Sequence, residues 1–156
     1  MTAILRDERD LIWLVLDDVR RIGGDVLYDV HFLAREAIGE PPAPFLSAGS
    51  YREPAAGLTG LLDGLAGAVV GDVRALRHDP ITDGLSLELK FRGEASDLRC
   101  EVVAWLDLTR MGPALKSRAV RGRHQSGLRF FATRAGLEEF RDTLFSLAFP
   151  APRTLE

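Results

Sequence analysis

Two hydrophobic periods divide the chain. At three- and four-residue steps, Leu137, Phe140, Leu144 and Leu147 form one apolar stripe, with Glu138, Arg141 and Asp142 largely off it. This spacing predicts a helix from Arg134 to Ala148. Thr133 stands where an N-cap belongs, since its hydroxyl can accept from an otherwise unpaired backbone N–H, and Pro150 closes the far end. A second stripe, Leu58, Leu61, Leu62 and Leu65, predicts a helix from about Glu53 to Ala66, with Pro54 in its first turn. Gly57, Gly60, Gly64 and Gly67 run along a neighbouring face of that helix. Each interior glycine costs about 1 kcal/mol relative to alanine, so packing on a sheet must hold this helix; the other reading is a groove that admits a second backbone.

Period-two alternation marks the strands. Leu11 to Leu16 is a short apolar run bounded by Asp10 and Asp17-Asp18 and predicts a strand covered on both faces. Gly23-Gly24-Asp25 is a hairpin turn signal. On the return, Val26, Tyr28, Val30 and Phe32 face one way and Leu27, Asp29, His31 and Leu33 the other. Pro41-Pro42-Ala43-Pro44 marks a loop or sheet edge, because proline donates no ladder hydrogen bond, and Phe45-Leu46 adds at most a short edge strand. Val69 to Arg77 and Leu85 to Arg92 predict a hairpin, Leu98 to Leu108 a further strand and Leu128 to Ala132 the last. The expected fold is α+β: a two-layer sandwich in which one curved antiparallel sheet of about six strands carries two helices on one face, in the order ββαββββα. All 156 residues are expected to form one domain.

Composition narrows the function classes. Hydrophobic residues make up 46% and charged residues 28%, the balance of a globular chain. A net charge of −3 argues against general nucleic-acid binding, which calls for a basic excess. Pro54 to Val70 is mostly apolar, yet Asp63 interrupts it and it falls short of a membrane span. The N-terminus lacks the basic-then-apolar layout of a signal peptide, and the lone Cys100 excludes an internal disulfide, so the expected location is the cytoplasm. Cys100 falls on the apolar face of its strand, which makes it a core residue and not a nucleophile.

Candidate chemistry is sparse. There is no Gly-x-Ser-x-Gly elbow; Ser50 lacks the second glycine. No phosphate-binding glycine loop and no zinc spacing occur, so no cofactor, metal ligand or catalytic residue is expected. Asp29 and His31 share a strand face in the manner of an acid–base or metal pair, a pattern common on solvated strands. His78, beside Asp79-Pro80, reads as turn chemistry. Between Thr109 and Ser126 the periodicity lapses, and Lys116, Arg118, Arg121, Arg123 and His124 make a basic cluster in an acidic protein. The cluster is either a solvated hairpin tip or a site that steers an acidic partner. Trp105, on the charged face of its strand, either covers that face or belongs to a contact surface.

The Leu58-x-x-Leu-Leu-x-x-Leu65 helix leading to a strand, the alternating Leu85 to Phe91 and the ending Leu128-Arg-Phe-Phe-Ala-Thr-Arg-Ala-Gly-Leu-Glu-Glu-Phe140 carry a resemblance. From about residue 10 to 148, the chain resembles the WapI-type immunity proteins of bacterial polymorphic toxin systems and related actinobacterial domains. Tyr51 fills the place of the aromatic that the family carries near its first helix, whereas the glycine-rich helix departs from the usual composition. The resemblance implies a non-enzymatic cytoplasmic protein that binds and blocks a cognate toxin. Charge from Lys116, Arg118, Arg121 and Arg123 and an anchor at Trp105 are the expected means. Two other classes stand beside it: a small-molecule binding domain with a pocket between sheet and helices, and a structural homodimer subunit.

Overall fold

The computed structural model describes residues 1–80, 85–93, 97–107 and 125–152. Its elements run β1 (Ala3–Arg6), β2 (Ile12–Ile22), β3 (Asp25–Ala34), β4 (Ala43–Pro54), α1 (Ala55–Val69), β5 (Ala75–His78), β6 (Ser86–Arg92), β7 (Arg99–Asp107), β8 (Gln125–Thr133) and α2 (Arg134–Ala148). The class is α+β, but the expected single curved sheet of six strands is corrected: two antiparallel sheets of four strands each are present, ordered β1-β2-β3-β4 and β5-β6-β7-β8. The physical reason lies at the junction. Short connections keep β1 to β4 neighbours, then β4 runs directly into α1, whose length carries the chain away before β5 begins. β5 therefore pairs with β6 alone.

Local chemistry explains the strands that alternation understated. β2 passes through Asp17-Asp18 without ending, because a bulge between Asp17 and Arg20 absorbs the break, with Asp18 at φ 49° and Val19 buried. Gly23 then takes φ 61° in the tight β2–β3 turn, a conformation glycine adopts at little cost. β4 contains Pro44, opposite Leu33, and is an edge strand, where a missing N–H donor is tolerated. A second bulge, opposite Asp29, places Ser50 at φ 60°.

α1 starts after Pro54, which stands at the N-cap position outside the first turn, and runs on to Val69, so the expected strand from Val69 shortens to β5. Gly64 and Gly67 face this chain's own Leu76 and Val73; a Cβ at either would lie 2.5 or 2.7 Å from those side chains. Close packing of the β5 segment accounts for these two glycines. α2 has the expected bounds, and the Thr133 hydroxyl accepts from the Gly136 N–H at 3.2 Å. Leu137, Phe140, Leu144 and Ala148 are its buried residues, while Leu147 only flanks the core.

The buried apolar residues of both sheets and both helices form one cluster. α1 packs on β5 as well as on β4, and α2 packs on β1 and β2 as well as on β8. The two helices also touch each other. Each helix thus follows one sheet in sequence and covers part of the other in space.

Candidate functional site

Among the described residues polar chemistry gathers in several places, and the first considered is inside the core. Tyr28 on β3, Glu53 on β4 and His78 on β5 are 3%, 1% and 8% exposed. The Tyr28 hydroxyl donates to Glu53 Oε2, and His78 Nε2 lies 2.7 Å from Glu53 Oε1. With Nε2 protonated, the His78 ring donates to that carboxylate, whose two oxygens can accept from both neighbours. The Leu85 backbone N–H in turn donates to the Tyr28 oxygen at 3.0 Å. Burial, reinforced by the adjacent Glu53 carboxylate, raises the Tyr28 phenol well above its usual range and keeps it a donor. The reading of His78 as turn chemistry is thereby corrected: it ends β5 with its side chain inside, holding a carboxylate from the other sheet. The neighbouring cavity, lined by Leu16, Leu58, Leu61, Leu87, Tyr28 and His78, has a volume of about 10 Å³, room for roughly one water. This cluster can tie the sheets together and offers no space for a substrate.

The second place is the outer face of the first sheet. Asp29 and His31 have separate partners there. Asp29 Oδ1 accepts from the Ser50 N–H at 2.7 Å, across Gly49, where a Cβ would lie 3.1 Å from that oxygen. His31 Nδ1 lies 2.7 Å from Ser47 Oγ, and its Nε2 is 4.0 Å from Asp17 Oδ2. A serine–histidine–aspartate row thus crosses β4, β3 and β2, but 4.0 Å is too long for the second hydrogen bond of a relay. The Thr2 hydroxyl and the Asp18 backbone hold the Asp17 carboxyl below the usual aspartate range. Among the described residues, no cluster of three potential metal ligands occurs.

The third is the outer face of the second sheet, which carries Trp105. In register, Trp105 lies between Ser86 and Gly127, Val103 between Glu88 and Arg129, and Glu101 between Lys90 and Phe131. Trp105, Val103 and Phe131 are half-buried. Gly127 makes the indole's position possible: a Cβ there would meet Trp105 Cδ1 at 2.6 Å and the Ala104 carbonyl oxygen at 2.8 Å. Arg99 and Arg129 lie over the Phe131 ring, 4.1 and 5.5 Å from its centroid. Arg99 also makes a forked pair with Glu8, whose carboxyl it holds below the usual range, and Arg129 does the same to Glu101 at 3.1 Å.

Lys116, Arg118, Arg121 and Arg123 lie outside the described residues. The chain leaves β7 at Asp107 and re-enters β8 at Gln125, which are register partners two positions from Trp105 and Gly127. These two strand ends therefore lie at the Trp105 end of the sheet. Cys100 is fully buried as expected, and burial pushes its thiol up to about 12. No family model matches the chain, and no curated protein or solved structure does either. Among the described residues, no helix is long and apolar enough to cross a membrane.

The Tyr28–Glu53–His78 cluster was missed in the sequence. One signal was available: continuing the alternation of β4 past Tyr51 puts Glu53 on the buried face, and a buried carboxylate requires donors.

Proposed function

We propose that this chain is a non-enzymatic protein-binding domain, an immunity protein that occupies a cognate toxin in the cytoplasm, and that it docks through the outer face of its second sheet. The observation that carries the reading is the seat of Trp105. A half-buried indole lies over a glycine, beside Val103 and near the end from which the segment with Lys116, Arg118, Arg121 and Arg123 departs. Rigid aromatic anchors are what a protein interface uses for affinity, and charge is what it uses for steering. The resemblance to WapI-type proteins supplies the class of partner. The cavity beside Tyr28 and His78 has room for about one water, so the small-molecule alternative would have to use the open groove of about 540 Å³ lined by Glu8, Leu98, Arg99, Thr133, Arg134 and Glu138.

The test is co-purification with the product of a toxin-like reading frame found immediately upstream. Trp105→Ala is expected to weaken that association by at least about 30-fold, the scale of a hot-spot residue. Reversing Lys116, Arg118, Arg121 and Arg123 to glutamate is expected to slow association and flatten its salt dependence. An unchanged affinity in the first variant removes the sheet face from the interface, and unchanged kinetics in the second removes the charges. A two-fold dimer of this chain through the same face, with no toxin bound, would support the homodimer alternative instead.

A further inference from the structure

The second half of the chain repeats the first. In each, four strands pair in sequence order and the last runs without a loop into a helix of 15 residues. The helices carry matching residues at matching steps: Ala56-Gly57-Leu58, Leu61, Asp63 and Leu65 in α1, and Ala135-Gly136-Leu137, Phe140, Asp142 and Leu144 in α2. The leucines and the phenylalanine of both sets are buried. Upstream of the helices, Tyr51 matches Phe130 and Glu53 matches Ala132, all four buried. Packing repeats as well, since α1 lies on the first strand of the second sheet and α2 on the first strand of the first.

We infer that the chain is a fused pair of ββββα units, residues 1–70 and 72–152, and that the inner face of each unit is a recognition surface for the other, able to bind it without the peptide link between α1 and β5. Cross-unit contacts are of every kind an interface uses. The two helices exchange sheets, His78 and the Leu85 N–H reach Glu53 and Tyr28, the Glu8 N–H donates to the Phe131 carbonyl at 2.7 Å, and Arg99 forks onto Glu8. The one connection runs through Gly71 and Asp72, both exposed.

The partner that the surface fits is the other unit and not a second copy of the same one. Where β5 presents His78 to the core, β1 presents Ala3 and Leu5. Two first units would bury Glu53 carboxylates with no histidine opposite. Two second units would offer His78 no carboxylate, because Ala132 stands in the place of Glu53. A buried ionisable pair present on one side alone thus penalises both like pairings.

The test uses the full chain with a protease recognition sequence inserted between Gly71 and Asp72, and a control with the same insertion between Gly23 and Gly24, inside the first unit. After cutting, separation in denaturant and dilution, the boundary-cut pieces are expected to reassemble one to one and to regain the uncut protein's circular dichroism and melting transition. The control pieces are expected to recover much less. His78→Leu in the boundary-cut protein is expected to weaken reassembly by more than about 100-fold. Failure of the boundary pieces to reassemble, equal recovery of the control, or self-association of either piece as tight as the mixed pair would each overturn the inference. A circular permutant opened at Gly71 and joined from residue 152 to Met1 by a short flexible linker covers the case of an insertion that spoils folding. It is expected to fold, and its failure to do so counts against the fused-pair reading.

Discussion

Substituting His78 by leucine removes one of two side-chain donors to a carboxylate that is 1% exposed. What remains is Glu53 with the Tyr28 hydroxyl alone, beside a leucine-walled cavity with room for about one water. Breaking a buried pair by deleting one partner costs about 3–5 kcal/mol, because the surviving charge keeps its desolvation penalty without its compensation. For a chain of this length, each kcal/mol lowers the melting temperature by about 2–4 °C, so the expected fall is about 6–20 °C. Glu53→Leu/His78→Leu removes both partners of the pair and fills the space with apolar atoms. The Tyr28 hydroxyl then loses its acceptor but keeps the Leu85 N–H, so the double variant is expected to be more stable than His78→Leu. Urea titration followed by circular dichroism gives all the free energies needed for a double-mutant cycle. A loss below about 1 kcal/mol for His78→Leu, or a double variant that costs the full sum of the two singles, would refute the account of Glu53 as a buried charge held from both sides.

Gly60→Ala meets nothing within 4 Å and should stabilise α1 by about 0.5–1 kcal/mol, whereas Gly64→Ala drives a methyl against Leu76 and should gain less or lose stability in the same urea titration. Gly127→Ala should cost about 1–3 kcal/mol and shift the fluorescence of Trp105, read in a Trp13→Phe background, because the Ala104 backbone oxygen cannot yield to the new methyl. Cys100 should resist a thiol reagent at pH 8 in the native protein and react at once in denaturant, since its buried thiol titrates at about 12. Glu8 and Glu101 are held below the usual carboxylate range, so their contribution is present above about pH 4.3 and is lost as pH falls through their lowered values. Glu8→Gln should accordingly flatten the acid limb of a stability-against-pH curve, and an unchanged limb would show that the Arg99 pair contributes nothing there.

Sequence by itself determined those elements whose burial pattern is local. α2 is complete in the spacing of Leu137, Phe140 and Leu144 and in the Thr133 hydroxyl, so its bounds needed no tertiary contact. β3, β6 and β7 alternate cleanly because each buries one face, and Cys100 was recognisable as core by the same rule. β1, only four residues long, carries too little period to be seen, and β4, interrupted by Pro44 and by the bulge at Ser50, was legible only as a short edge strand at Phe45-Leu46. Tertiary structure alone decided that the strands divide into two sheets, because the division depends on where α1 finds a surface to cover. It also decided the fate of the polar residues. Asp29 and His31, neighbours on a strand, turned to separate partners, while Glu53 and His78, from different sheets, met in the core. A side chain's period along its own strand reports whether it is buried; which group it must then satisfy is fixed by the element that packs against it, and that element lies elsewhere in the chain.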